Sequence, residues 1–292
     1  INFNNYKKST IHDVYDKACI LAEERGIRVT GSELVGLIPL DAVISAGKHY
    51  LQKQNRSIGV PVSDIIECAV QSLGLNDVTP FINNEKIIDY AVMENNDDMF
   101  DKDFLESVSL NTPSPGGGSV SALSGSLGSA LCSMVACLTH EKKDMLQNRS
   151  IMEEIGVKAQ ELKDGLAHLV SEDSRAFNKV LDAVRLPATS EQEKKEKTKN
   201  ILMANKYAIE IPHQTAKKCY EVMQLAEILI EKGNPSSLTD ASVASEVAFA
   251  GLRGGCMNVL INLPELIDKP YINQKQKEVD KLLKKGERLN RK

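Results

Sequence analysis

Residues 112–119 read Thr, Pro, Ser, Pro, Gly, Gly, Gly, Ser and run without a break into the apolar segment 120–138. Two prolines and three glycines exclude helix from the first half, whereas alanine, leucine and serine favour it in the second. The chain must pass from a constrained loop into a long helix, and a helix start fronted by bare backbone is a natural ligand site. Along that helix Gly117, Ser121, Gly125, Ser129 and Ser133 recur at every fourth position, and Ser124, Gly128, Cys132 and Ala136 form a second small row. Adjacent small rows let another helix approach closely.

At 292 residues and 42% hydrophobic content, the chain has material for one large or two modest domains with a real core. The balance of 36 basic against 40 acidic residues excludes a protein built as a whole to coat nucleic acid or an anionic membrane. Any basic site must be local. The run 123–138 is rich in serine and glycine and is bounded by His140, Glu141, Lys142 and Lys143, so it reads as a buried soluble helix and not a membrane span. Six cysteines without a CxxC pair, and no signal-like N-terminus, read as reduced thiols of a cytoplasmic protein with no metal-ligand spacing. The glycine run lacks the lysine of a phosphate-binding loop and does not follow a strand, which argues against a nucleotide site. The chain opens on Ile1 in a strand-like segment, so upstream residues are expected to be missing and the first domain incomplete.

The fold expected is mainly α: an all-helical domain over 96–292, preceded over 1–95 by a small incomplete α/β fragment. In that fragment strands are predicted at 1–4 and 27–30, and helices at 10–25 and after Leu40. Ser9 or Thr10 caps the first helix and Gly26 stops it. Short helices follow at 62–73 and 85–93, and the acidic, asparagine-rich stretch 94–101 reads as a linker. From Phe104 onward nothing alternates at period two, and helices are predicted at 103–109, 119–139, 144–184, 190–232 and 239–263. The basic amphipathic tail 274–292, with Val279, Leu282, Leu283 and Leu289 apolar, reads as a docking helix.

Asp173 lies three residues after Val170 and four before Phe177, so its carboxylate is aimed toward the packed side of its helix. It serves either a helix-to-helix salt bridge or acid/base chemistry tuned by partial burial. Asp240 reads as a helix cap or first-turn acid. Asn258 and Asn262, four apart on an otherwise apolar helix, either bond neighbouring helices or read a ligand's heteroatoms. His12 and His168 are expected to be partly exposed, and His213 follows Pro212 near a kink.

The loop from Pro113 to Ser119, the Asp173 segment through Phe177, Gly233 and Asn234 with Thr239 and Asp240, and the pair Asn258 and Asn262 resemble, in order and spacing, formimidoyltetrahydrofolate cyclodeaminase. The related methenyltetrahydrofolate cyclohydrolases are close by. The segment 31–39 resembles the last part of glutamate formiminotransferase, which is fused to cyclodeaminase in the bifunctional enzyme of histidine degradation. The resemblance implies conversion of 5-formimidoyltetrahydrofolate to 5,10-methenyltetrahydrofolate with loss of ammonia, without metal or other cofactor. Transferase activity is not expected from this chain. Asp173 matches the family's catalytic residue. Pro115, Gly116, Gly117, Gly118, Ser119, Asp240, Asn258 and Asn262 are implied to contact the substrate, and Lys142, Lys143 and Arg175 the anionic, often polyglutamylated tail. Glu141 departs from the family, which usually has glycine there. The resemblance further implies a homodimer through the helical domain, a higher oligomer when the transferase domain is whole, and neither nucleic acid nor membrane as partner. The alternatives are a methenyltetrahydrofolate cyclohydrolase and a non-catalytic helical module that binds folate or dimerises.

Overall fold

The computed structural model describes residues 1–92, 102–109 and 112–291; the stretch 94–101 expected as a linker lies outside the described residues. The chain divides into two compact units, Ile1–Asp98 and Met99–Lys292. In the first, Thr10 caps α1 (Ile11–Glu23) by accepting from the Asp13 N–H, and Gly26, at φ 70°, turns the chain out of it. α2 (Leu40–Lys53) packs on α3 (Val62–Ser72), so closely that a Cβ on Gly47 would strike the Ile65 carbonyl. Asp16 joins α1 to α2 by accepting from His49, Tyr50 and Lys53, and His12 is buried beneath a stacked His49, not partly exposed as expected.

The predicted strands at 1–4 and 27–30 do not form, so the α/β fragment becomes a helical one. A strand is held by a ladder of partners, and among the described residues pairing is confined to one parallel bridge between Ile38 and Ile87. That bridge explains a second difference. The helix expected at 85–93 is split into single turns, α4 (Asn83–Lys86) and α5 (Ile88–Ala91), because Ile87 is extended and fully buried, with Lys86 O and Ile88 N bonded to Ile38.

The second unit is all helical among its described residues. After α6 (Lys102–Ser109) come α7 (Gly117–His140), α8 (Arg149–Arg185), α9 (Glu191–Lys232), α10 (Leu238–Asn262) and α11 (Lys269–Asn290). α8 starts five residues later than predicted, because residues 143–148 form a 3-10 segment kinked at Met145. α7 is the central rod. It runs antiparallel to α8 and to α10: Ser126 and Ser129 donate to the carbonyls of Lys163 and Ala159, while Gly128 lies against Ala244 and Gly117 against Asn258. The small rows face three neighbours in turn, since a four-residue step advances 40° beyond a full turn. A Cβ on Gly125 would strike Cys219 of α9, and one on Gly128 would lie 2.7 Å from the Ala244 carbonyl oxygen. Cross-helix bonds satisfy the hydroxyls that so close an approach buries.

α11 docks as the sequence predicts, with Val279 fully buried and Leu282, Leu283 and Leu289 against the core. Its buried Lys275 donates to Glu210 (2.7 Å) and to Nδ1 of the fully buried His213 (2.9 Å). His213 and Lys275 hold the Glu210 carboxyl down to about 2.

Gly128→Val should lower the unfolding free energy by about 1–3 kcal/mol, because overpacking against a backbone oxygen cannot be relieved by a rotamer change. A lower urea midpoint at unchanged m-value is the expected result; a wild-type midpoint would contradict the close packing of α7 on α10.

Candidate active site

At the N-terminal end of α7 a cavity of about 290 Å³ opens among α7, α8, α9 and α10. The loop residues Pro113, Ser114 and Gly116 and the first turn of α7, Gly117 and Gly118, form one wall. α8 supplies Asp173, Ala176, Phe177 and Val180, at the spacing that puts four side chains on one helical face. Asn205 and Ala208 of α9, Asn258 and Asn262 of α10, and Glu265 complete it. The lining has two carboxylates and no basic side chain.

Asp173 is held from behind. A Cβ on Gly118 would collide with its carboxylate, so glycine there makes room for a protein group. Ser119, wholly buried, places its Oγ 3.0 Å from Asp173 Oδ2 and 3.0 Å from the Val170 carbonyl, and its backbone N–H also donates to the carboxylate. Burial pushes the Asp173 carboxyl above its ordinary 3.8, and the Ser119 donors only partly offset the rise. The magnitudes agree. A helix N-terminus stabilises an anion by about 0.3–2 kcal/mol, whereas withdrawing a carboxylate from water costs several kcal/mol. The hydroxyl of Ser119 can serve either charge state, donating to an ionised Asp173 or accepting from a protonated one while donating to Val170.

The adjacent carboxylate behaves oppositely. Glu172 accepts from Tyr207 and from Arg175 (2.5 Å), and these bonds hold it below its ordinary value. Neighbouring acids driven apart in this way are a mark of acid/base sites.

The two asparagines have distinct duties. Pro212, inside α9, has no N–H, which leaves the Ala208 carbonyl four residues earlier without its helical partner. The Asn262 amide nitrogen donates to that carbonyl at 3.1 Å, and Asn258 donates to the Gly254 carbonyl at 2.8 Å. Each amide thus keeps its carbonyl oxygen as the group that can face a ligand.

Of the residues singled out by sequence, the structure brings together Gly116, Gly117, Gly118, Asp173, Asn258 and Asn262. Ser119 sits behind Asp173, and Pro115 flanks the lining loop. Arg175 points to solvent and pairs with Glu172. Lys142 and Lys143 are at the other end of the bundle, about 36 Å away along the 24 residues of α7, and Asp240 lies outside the cavity, beyond the level at which Gly128 meets Ala244. There Lys142 donates to Asn234 Oδ1 at 2.9 Å, and Asp240 is a first-turn acid of α10, whose N-cap is Ser237. Sequence reasoning missed Asn205 and Glu265. The spacing of Asn205 to Ala208 and Pro212 could have placed that amide on the inner face. Among the described residues no group of three His, Cys, Asp or Glu side chains is arranged to hold a metal ion.

Compared with known proteins, residues 101–281 match the family model described as formiminotransferase-cyclodeaminase, and residues 1–93 match the formiminotransferase domain. The chain is 31% identical over 290 residues to formimidoyltransferase-cyclodeaminase of Gallus gallus, which covers 98% of this chain and 53% of that protein. It therefore spans about half the length of the relatives of that name. It is 36% identical over 187 residues to methenyltetrahydrofolate cyclohydrolase of Methylorubrum extorquens, across 64% of this chain and 90% of that protein. A solved structure of formiminotetrahydrofolate cyclodeaminase from Thermotoga maritima matches with a TM-score of 0.59 at 29% identity, across 65% of this chain and 91% of that one.

Because the folded pKa of Asp173 is raised, its ionisation costs stability: the cost is absent below the unfolded value and grows as pH rises through the folded one. Asp173→Asn should therefore fold, with a urea midpoint at neutral pH equal to or above that of the wild type and a smaller advantage in acid. A midpoint well below wild type at neutral pH would show that the charge is structural.

Proposed function

The chain belongs to the formiminotransferase-cyclodeaminase family, and from that premise we infer that it converts 5-formimidoyltetrahydrofolate to 5,10-methenyltetrahydrofolate with release of ammonia. The observation that carries this reading is Asp173, a partly buried carboxyl with a raised pKa on the wall of a cavity. In the reaction N10 of the folate attacks the amidine carbon on N5, a five-membered ring closes, and the amine departs once protonated. N10 must lose a proton and the amine must gain one, with no change in electron count. A single carboxyl that cycles between base and acid meets both needs, and its raised pKa brings it nearer the operating pH. The Ser119 hydroxyl accommodates both states of that cycle. The charge of Asp173, with that of Glu265, also favours the cationic amidinium over a neutral ligand.

The carbonyl oxygens of Asn258 and Asn262 and the backbone of Gly116 to Gly118 would orient the pterin. At about 290 Å³ the cavity is at the lower edge for a drug-sized ligand, so the aminobenzoyl-glutamate tail of the folate would extend beyond it. The substrate class extends to polyglutamylated forms of the same folate.

One relative favours a second reading. In a methenyltetrahydrofolate cyclohydrolase, water and not an amine is exchanged at the same carbon, and the 36% identity spans the helical domain. The match of residues 1–93 to a formiminotransferase domain favours the cyclodeaminase. Ammonia release from 5-formimidoyltetrahydrofolate, measured beside hydrolysis of methenyltetrahydrofolate, separates the two: preferential hydrolysis would select the cyclohydrolase.

Asp173→Asn should reduce ammonia release by at least about 100-fold with the fold retained; near-normal turnover would remove Asp173 from the chemistry. Ser119→Ala takes a donor from the carboxylate and should move the Asp173 limb of the pH–rate profile to higher pH. A limb that stays in place while the rate falls would mean that Ser119 acts only through packing.

A further inference from the structure

Three amides line the cavity, and each turns its nitrogen to a protein carbonyl. Asn258 donates to Gly254 and Asn262 to Ala208, while the buried Asn205 donates to the Glu265 carbonyl at 3.4 Å. Their oxygens are the atoms left for a ligand. The carboxylates of Asp173 and Glu265 add to this set of acceptors, whereas the lining side-chain donor that no protein acceptor claims is the Ser114 hydroxyl. Glu265 differs from the acids around it. Asp173 is held by Ser119, Glu172 by Tyr207 and Arg175, and Asp268 by Lys206 and the Tyr271 N–H, but the Glu265 carboxylate has no hydrogen bond or ion pair with any described residue.

The acceptors have an order. α8 and α10 both run antiparallel to α7, so Asp173, against Gly118, and Asn258, against Gly117, share the level of the first turn of α7. Asn262 lies one turn farther out and Glu265 beyond it, about 12 Å from the level of Asn258 by helical and 3-10 rise. α9 runs the other way, which puts Asn205 at the level of Glu265 and Ala208 at that of Asn262. Between the two ends the wall given by α8 is apolar, with Ala176, Phe177 and Val180. The cavity is a slot with an acid suited to proton transfer at one end and a carboxylate without a partner at the other.

We propose that Glu265 reads the pterin, its two oxygens accepting from N3–H and the 2-amino group at the end of the ring system farthest from the reacting N5. This rests on the reading of the ligand as a reduced folate. That edge is a planar pair of donors on one guanidine-like unit, and a carboxylate meets such a pair with two parallel bonds, as it meets arginine. A ring with an oxo group at position 2 would set a carbonyl against the carboxylate, and one with a methyl group would leave an oxygen unpaired. Length agrees with chemistry. The fused rings, with a hydrogen bond of about 3 Å at either end, fill the interval between Glu265 and Asp173. In this pose N5 and N10 lie at Asp173, Phe177 and Val180 cover a face of the rings, and the tail leaves past Pro113 and Ser114.

Calorimetric binding of two probes to the full chain decides the matter: 5-formyltetrahydrofolate, and its counterpart with a methyl group in place of the 2-amino group. Glu265→Gln puts an N–H where the ring has only donors, so it should weaken binding of the first probe about 10- to 100-fold. It should also raise KM for 5-formimidoyltetrahydrofolate more than it lowers kcat. The wild type should bind the methyl counterpart weaker by a similar factor, whereas Glu265→Gln should distinguish the two probes by less than about threefold. The urea midpoint of the variant should match that of the wild type, because the side chain holds no other group. Unchanged binding, equal losses for both probes, or a lowered midpoint would overturn the assignment, and ammonia release by the wild type would then still uphold the cyclodeaminase reading. A wild type that discriminates the probes through Glu265, yet turns over neither formimidoyl- nor methenyltetrahydrofolate, would retire that reading and leave the assignment standing.

Discussion

The carboxylate of Asp173 occupies the space that a side chain at position 118 would fill, and the rest of the site is built around that contact. It fixes the level of α8 against the start of α7, turns the Ser119 donors onto an acid from another helix, and puts Phe177 and Val180 on the cavity wall. The arrangement is costly by design of its parts: the helix N-terminus favours the anion, desolvation opposes it, and desolvation prevails. A residue with only a structural duty would gain more from a neutral amide, so a carboxyl kept under these conditions points to proton transfer.

A similar economy governs the opposite wall. Pro212 removes one bond from α9, and Asn262 on α10 restores it by donating to the Ala208 carbonyl. That substitute bond ties α9 to α10 at the level of the cavity and leaves the other half of the same amide facing inward. Gly255 permits the approach, since a Cβ there would lie 2.8 Å from the Pro212 carbonyl. The kink, the glycine and the asparagine form one device.

Much of the helical unit was legible because its signals are local. The start of α9 at 190 was read correctly, where the structure shows Ser190 and Glu193 in a capping box, small residues at fourfold spacing marked α7 for close helix packing, and the inward aim of Asp173 followed from Val170 and Phe177. The N-terminal unit was misread where structure depends on partners. Residues 27–30 have strand composition, but a strand exists only as part of a ladder, and Ile87 paired with Ile38 by a bridge that no local pattern announces. The partner of Asn262 was equally hidden, because its choice between bonding a helix and facing a ligand depends on an opposing carbonyl freed 54 residues away in sequence.

The basic residues show how helix geometry converts sequence proximity into separation. Arg175 is two residues from Asp173, which on a helix is about 200° of rotation, so it faces solvent and joins Glu172 instead. Lys142 and Lys143 follow the glycine loop by one helix, and that helix is a rigid rod that carries them the full length of the bundle. Helix geometry therefore keeps these three basic residues out of a lining that holds two carboxylates. Lys206, next to the lining residue Asn205 on α9, is likewise spent on structure, since it donates to Asp268 at 2.8 Å and not to the carboxylates of the lining.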